Sequence, residues 1–245
     1  MLAVVRPKDA LNMAEIKRIF MFDHAEDVRL EKRNLLFWRA MLGHIQADRA
    51  IEVGATILDV GCHRGGLLEL AIDRFKPASI IGIEPLKPAR NAAQEKLGIF
   101  RGRVQIFSEK EWNRIPDASI DLLLSHEVLP FFDDLKFLSE QMGRVLKPRA
   151  FAYMVSGCHT ENPLWPRWKE ELQAQGHIVY DYSPLDLMRA VSIAGFSPSV
   201  RPLRESGWAH YDPIEQDAFK YPTVQALLDH QFKHKLLFRF HRSSN

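Results

Sequence analysis

Between residues 55 and 155, apolar runs the length of a strand alternate with longer stretches in which apolar residues return every three or four positions. That alternation builds parallel strands covered by helices. Residues 55–60 (ATILDV) and 79–84 (SIIGIE) predict two strands, and LLELAIDRF and KPARNAAQEKL predict the helices after them, the second ending before Gly98. Residues 103–107 (RVQIF), 120–125 (IDLLLS) and 151–155 (FAYMV) predict three more strands, with a helix over 135–145 between the last two. This succession fits a doubly wound α/β sheet. Ahead of it, residues 28–44 place Leu30, Leu35, Leu36, Trp38, Met41 and Leu42 at helical intervals, so this segment packs an apolar side on the domain and is placed to cover a ligand. Beyond it, Pro163 and Pro166 mark a change to a more irregular Trp-, Tyr- and Pro-rich part. A helix over 185–194 stopped by Gly195, strands at SPSVRPL and KLLFRFH, and a helix starting at Pro222 in PTVQALLDHQF then complete the sheet.

Composition narrows the class. The chain has 245 residues, 46% hydrophobic and 26% charged, enough for one sizeable core, which excludes disorder and collagen-like repeats. A net charge of +2 gives no strong positive field for a polyanion, so a nucleic-acid partner is not expected. Cys62 and Cys158 are too few for a secreted disulfide framework. Charged residues interrupt the opening MLAVVRPKDALNMAEIKRIFMF, which does not read as a signal peptide, and no apolar run approaches the roughly 20 residues of a membrane span. A cytoplasmic protein that does not enter the membrane, monomeric or homodimeric, is expected.

The strongest chemical signal is Asp59, Gly61, Gly65 and Gly66 in LDVGCHRGG, between the first strand and its helix. Glycine lets the backbone turn sharply and approach a ligand, and amides at a helix start favour polar or anionic groups. No GK followed by Ser or Thr closes the loop, and the spacing is not GxGxxG, so nucleotide triphosphate binding loses its support. Glu84 ends the second strand 23 residues after Gly61, next to Pro85, where its paired oxygens suit a ribose diol. Loop and carboxylate together imply an adenosine-containing cofactor, mononucleoside or dinucleotide.

LDVGCHRGG, IIGIEP, SIDLLLSHEVLPFF and RVLKPRAFAYMV, in that order, resemble the successive core motifs of class I S-adenosylmethionine-dependent methyltransferases, especially small-molecule members, over roughly residues 28–203. The resemblance implies a Rossmann-like fold with a seven-stranded, mostly parallel sheet, S-adenosylmethionine as cofactor and S-adenosylhomocysteine as coproduct; no complete set of spaced ligands accompanies Cys158 and His159, so no metal is expected. It implies Asp59 and Gly61 near the methionine part and Glu84 on the ribose. The chain divides on this reading into a helical cap (1–50), a cofactor core (51–157), and substrate loops with the end of the sheet (158–245), all within one domain. His63 stands where the family's middle glycine is expected and brings a side chain close to the cofactor, while Lys147, Pro148, Arg149 and Ala150 replace the family's Lys-Pro-Gly-Gly. Ser125, at the end of the fourth strand, is a further cofactor candidate, as are Ser108 and Glu109 near the adenine, with Glu111 and Trp112 beside them.

His126 and Glu127 follow the fourth strand, where the family's cofactor and substrate meet, and are the catalytic candidates, His126 as base and Glu127 as its orienting partner or a substrate ligand. Trp38, His159, Trp165, His210 and Tyr211 are the candidate substrate contacts. Methyl transfer to an oxygen or nitrogen of a small metabolite, mainly by proximity and orientation, is the leading expectation. RNA or protein methylation, an inactive binding scaffold with this fold, and a nicotinamide-dependent dehydrogenase are the alternatives.

Overall fold

The computed structural model describes residues 24–100, 102–214 and 219–242; the opening segment and the first 23 residues of the expected cap lie outside them. Seven strands form one sheet in the order β3-β2-β1-β4-β5-β7-β6: β1 (Thr56–Val60), β2 (Ser79–Ile83), β3 (Val104–Phe107), β4 (Ile120–His126), β5 (Leu146–Ser156), β6 (Phe196–Pro202) and β7 (Leu236–Arg242). The pairs from β3 through β5 are all parallel, whereas β7 runs antiparallel to both β5 and β6. β1 is the switch point, flanked by β2 on one side and β4 on the other.

Strands β1 to β5 and β7 feed two cores because their side chains alternate, whereas β6 buries only Phe196. Leu58, Leu123, Met154, Phe238 and Phe240 pack on one face, and Ile57, Leu122, Leu124, Tyr153 and Leu237 on the other. The helices are α1 (His24–Asp48), α2 (Gly66–Phe75), α3 (Lys87–Leu97), α4 (Leu135–Val145), α5 (Trp165–Ala174), α6 (Pro184–Ile193) and α7 (Val224–Asp229). Helices α1, α2 and α3 contribute to the second core, and α4 and α6 to the first.

Three elements differ from the sequence reading. The irregular Pro-rich part contains α5, whose Pro166 falls in the first helical turn, where a missing N–H costs nothing. Helix α7 begins at Val224 rather than Pro222 because the Thr223 hydroxyl caps it, accepting from the Ala226 amide at 3.1 Å. It passes into a π turn over His230–His234. Strand β5 starts early, at Leu146, with a register shift against β4 that takes up Lys147, Pro148 and Arg149, the last at φ +64°.

Helix α1 is fixed to the sheet at its carboxyl end. Asp48 accepts from the Tyr153 hydroxyl and from Arg239 Nη1 (2.7 Å), while His44 Nε2 meets the Leu203 carbonyl at 2.8 Å. Its amino-terminal half crosses the carboxyl ends of the strands. A Cβ on Gly66 would lie 2.7 Å from the Trp38 ring and 2.6 Å from the Glu31 carboxylate, so the absent side chain is what lets α1 lie against the start of α2.

Candidate active site

The loop from Gly61 to Gly65 is held by the end of β2. The amides of Gly61 and Cys62 both donate to the Ile83 carbonyl, at 2.8 and 3.0 Å. Gly61 has φ +79°, and a Cβ there would come within 2.3 Å of Val128 Cγ2, so both conformation and space demand glycine. His63 adopts φ +47°, the left-handed conformation that glycine would take without strain. Its amide donates to Glu84 Oε2 at 2.9 Å, and its Nε2 stands 3.7 Å from Asp27 Oδ2 of α1. The loop thus keeps a glycine-like backbone although the residue is a histidine, at a cost in strain.

Two carboxylates are buried beside this loop. Glu84 accepts from the His63 amide through one oxygen and from the Leu86 amide through the other, both at 2.9 Å. Each oxygen keeps a lone pair for a ribose hydroxyl. Burial pushes the Glu84 carboxyl up, against the opposing pull of His63 and these amides. Asp59 is 1% exposed, and its Oδ1 has no hydrogen-bond partner among the described residues. Burial, with the nearby Glu84 charge, pushes its pKa up to about 8. A buried carboxylate oxygen left open at a cavity wall suits a cationic ammonium, which S-adenosylmethionine carries on its methionine part, so the residues present fit that cofactor.

At the other end of the cavity, Glu127 adopts φ +58° after β4, and both its oxygens accept from the Gly157 amide at 2.9 Å. Lys235 donates to Oε1, and its Nζ lies 4.1 Å from the centroid of the Phe37 ring on α1. Burial opposes ionisation of Glu127, yet Lys235, His126 and the Gly157 amide together hold its pKa down at about 2. His126 packs between the rings of Phe37 and Trp38, at centroid distances of 6.5 and 6.0 Å. Burial and the Lys235 charge push its pKa down to about 3, so the imidazole is neutral at pH 7 and a weak base. No group of three or more His, Cys, Asp or Glu side chains is arranged to hold a metal among the described residues.

A single cavity of about 710 Å³ joins the two ends. It brings together Trp38, Asp59, Gly61, His63, Glu84, Pro85, His126, Glu127, His210 and Tyr211 from the sequence-predicted residues. It does not bring in the others. Gly65 packs toward Leu97 of α3, and the Ser125 hydroxyl is buried, donating to the Val60 carbonyl at 2.9 Å. Ser108 is tied through amide and hydroxyl to Glu111, and neither Ser108 nor Glu109 lines the cavity. Trp112 belongs to the core. Trp165 turns its indole N–H to Asp181 at 2.8 Å, and His159 is buried against the His234 carbonyl, also at 2.8 Å. Lys235, Phe37, Phe131, Tyr221 and His230 line the cavity without having been singled out in the sequence. For Lys235 no local signal existed, since it is one lysine ahead of an apolar strand.

The family description "Methyltransferase domain" matches residues 58–154. No curated protein matches the sequence. Among solved structures, the Haloferax volcanii complex of the Trm112 methyltransferase activator with a protein named as a methyltransferase contains a chain similar to this one at 18% identity and a TM-score of 0.72, covering 99% of this chain and 100% of that one. A protein named as a sarcosine dimethylglycine methyltransferase from Galdieria sulphuraria is similar at 16% identity and a TM-score of 0.61, covering 98% and 99%. Geranyl diphosphate C-methyltransferase from Streptomyces coelicolor, solved with Mg2+, geranyl diphosphate and S-adenosylhomocysteine, is similar at 14% identity and a TM-score of 0.60, covering 83% and 74%. With its strand order and its glycine loop, the chain has the Rossmann-like fold of class I S-adenosylmethionine-dependent methyltransferases, and its residues 58–154 match the methyltransferase-domain family.

Proposed function

We propose that the chain transfers the methyl group of S-adenosylmethionine to an oxygen or nitrogen of a small metabolite. The observation that carries this reading is the continuity of the cavity, which runs from Asp59 and Glu84 to Glu127 and Lys235 beneath α1. A cavity of about 710 Å³ with aromatic walls is of the size that encloses a cofactor and a small acceptor together, which supports a molecule of metabolite size.

When bound, S-adenosylmethionine supplies an electrophilic methyl carbon on a sulfonium. Glu84 would hold the ribose hydroxyls, Asp59 the methionine ammonium, and Gly61 the close approach of backbone to cofactor. Phe37 and Trp38 on α1 exclude water from the region over His126. Catalysis on this account is alignment of acceptor and methyl carbon. The neutral His126 acts as a hydrogen-bonding wall of the site, its Nε2 having no partner among the described residues. The two free cysteines and the absence, among the described residues, of any helix long and apolar enough to cross a membrane support the reading of a cytoplasmic enzyme.

Incubation with methyl-labelled S-adenosylmethionine and a fractionated cell extract tests the acceptor class: label should appear in the small-molecule fraction, and label confined to RNA or protein would overturn the reading. Glu84→Ala should weaken S-adenosylhomocysteine binding about tenfold or more in calorimetry, through lost hydrogen bonds to a charged group; unchanged affinity would remove Glu84 from the ribose. A third test is set by Asp59, which keeps its proton below about pH 8 in the cofactor-free protein. An ammonium beside it lowers that value, so cofactor binding releases a proton and affinity rises with pH up to about 8. Calorimetry at pH 7 in buffers of different ionisation enthalpy should register that release, and proton uptake would contradict the assignment.

A further inference from the structure

The acceptor end holds a buried ammonium whose hydrogen-bonding capacity the protein leaves partly unused. Lys235 is 5% exposed and lines the cavity. An ammonium has three N–H donors. Among the described residues its partners are the Glu127 carboxylate and the face of Phe37. Glu127 is more fully engaged by the protein: Oε1 accepts from Lys235 and Gly157, and Oε2 from the same Gly157 amide. What remains on Lys235 for a ligand is its unused N–H donors, on a cation whose charge the Glu127 carboxylate offsets. Next to it, His126 Nε2 is buried with no hydrogen-bond partner among the described residues. The walls around these polar atoms are Phe37, Phe131, Trp168, Phe219 and Tyr221, with Trp168 meeting the Phe219 and Tyr221 rings edge to face at 5.5 and 5.7 Å.

We propose that the acceptor is a planar, apolar molecule carrying an acidic hydroxyl, phenolic or enolic, bound as its oxyanion by Lys235. This names the substrate class of the methyl-transfer reading and rests on it. Aromatic walls select a flat apolar body. An ammonium has no lone pair to receive an amine N–H and repels a protonated amine, whereas it favours an oxyanion in a site shielded from water. A phenol ionises near pH 10 in water, like a tyrosine, and N–H donors on a cation lower that value, toward the low end of about 1–3 units because Glu127 offsets part of the charge. Lys235 thus supplies the activation that the weakly basic His126 does not. The hydroxyl proton leaves to solvent as the oxyanion settles on Lys235. The oxygen lone pair then forms the C–O bond to the methyl carbon while the C–S bond breaks, its electron pair staying on sulfur as sulfonium becomes thioether.

The test uses 4-nitrophenol, whose ionised form absorbs visible light, titrated with pH in the presence of the native protein saturated with S-adenosylhomocysteine. The ionisation midpoint of the bound probe should fall by about one pH unit or more relative to free probe. Lys235→Met alone strands the Glu127 charge, so the paired variant Glu127→Gln with Lys235→Met, which leaves no buried orphan charge, is the comparison. In that variant the midpoint should return to the free value. A midpoint unshifted or raised on the native protein, an equal shift in the variant, or no probe binding to a native protein that binds S-adenosylhomocysteine would each overturn the proposal. Calorimetry with S-adenosylhomocysteine reads the cofactor end separately: if the native protein does not bind it, the methyl-transfer reading fails and takes the proposal with it.

Discussion

A run of parallel strands must deliver all of its carboxyl ends to one edge of the sheet, and this chain builds its chemistry on that edge. The register of β1 with β2 and β4 sets Val60 level with Ile83 and Ser125, so the residues one step beyond this level emerge side by side. Glu84 and His126 are brought to the cavity this way, and the turn of β1 into α2 adds the glycine loop. The antiparallel β7 supplies the last component. It begins where β5 ends, Leu236 pairing with Ser156, so the residue just before it, Lys235, arrives at the same edge as Glu127 and Gly157.

Placing charge at a water-poor edge has a cost, and each group there is compensated differently. Glu84 is compensated by two loop amides, which double as the device that holds the loop shape. Glu127 is compensated by Lys235, by the Gly157 amide and by the Cys158 thiol. Asp59 has no such partner on Oδ1 and is held protonated to about pH 8. The same logic explains His126: an imidazole beside a buried ammonium and between two rings stays neutral. The two ends of the cavity are thus electrostatically distinct, with the carboxyl groups of Asp59 and Glu84 at one and the open donors of Lys235 at the other.

Much of this was legible in the residues. Buried parallel strands read as continuous apolar runs, which is why β1, β2 and β4 were visible within a residue or two. The meeting of Asp59, Gly61 and Glu84 at one cavity wall was legible because the glycine loop and the strand end are local patterns. Helix α5 was not, because Pro163 and Pro166 read as loop punctuation until their place at the helix start is known. Nor could periodicity separate Trp165 from Trp168: both are buried on α5, but one indole turns to Asp181 and the other lines the cavity. The pairing of Glu127 with Lys235 spans 108 positions and depends on the direction of β7, which no local pattern encodes.

The central claim is that one cavity holds cofactor and acceptor in line beneath α1, with Glu84 and Lys235 at opposite ends. A crystal structure of the protein with S-adenosylhomocysteine tests it most directly. The account predicts the ribose hydroxyls within hydrogen-bond distance of the Glu84 carboxylate, the amino group at Asp59, and the sulfur facing the space bounded by His126 and Lys235. Density for the coproduct outside this cavity, or with its sulfur turned away from Lys235, would contradict it.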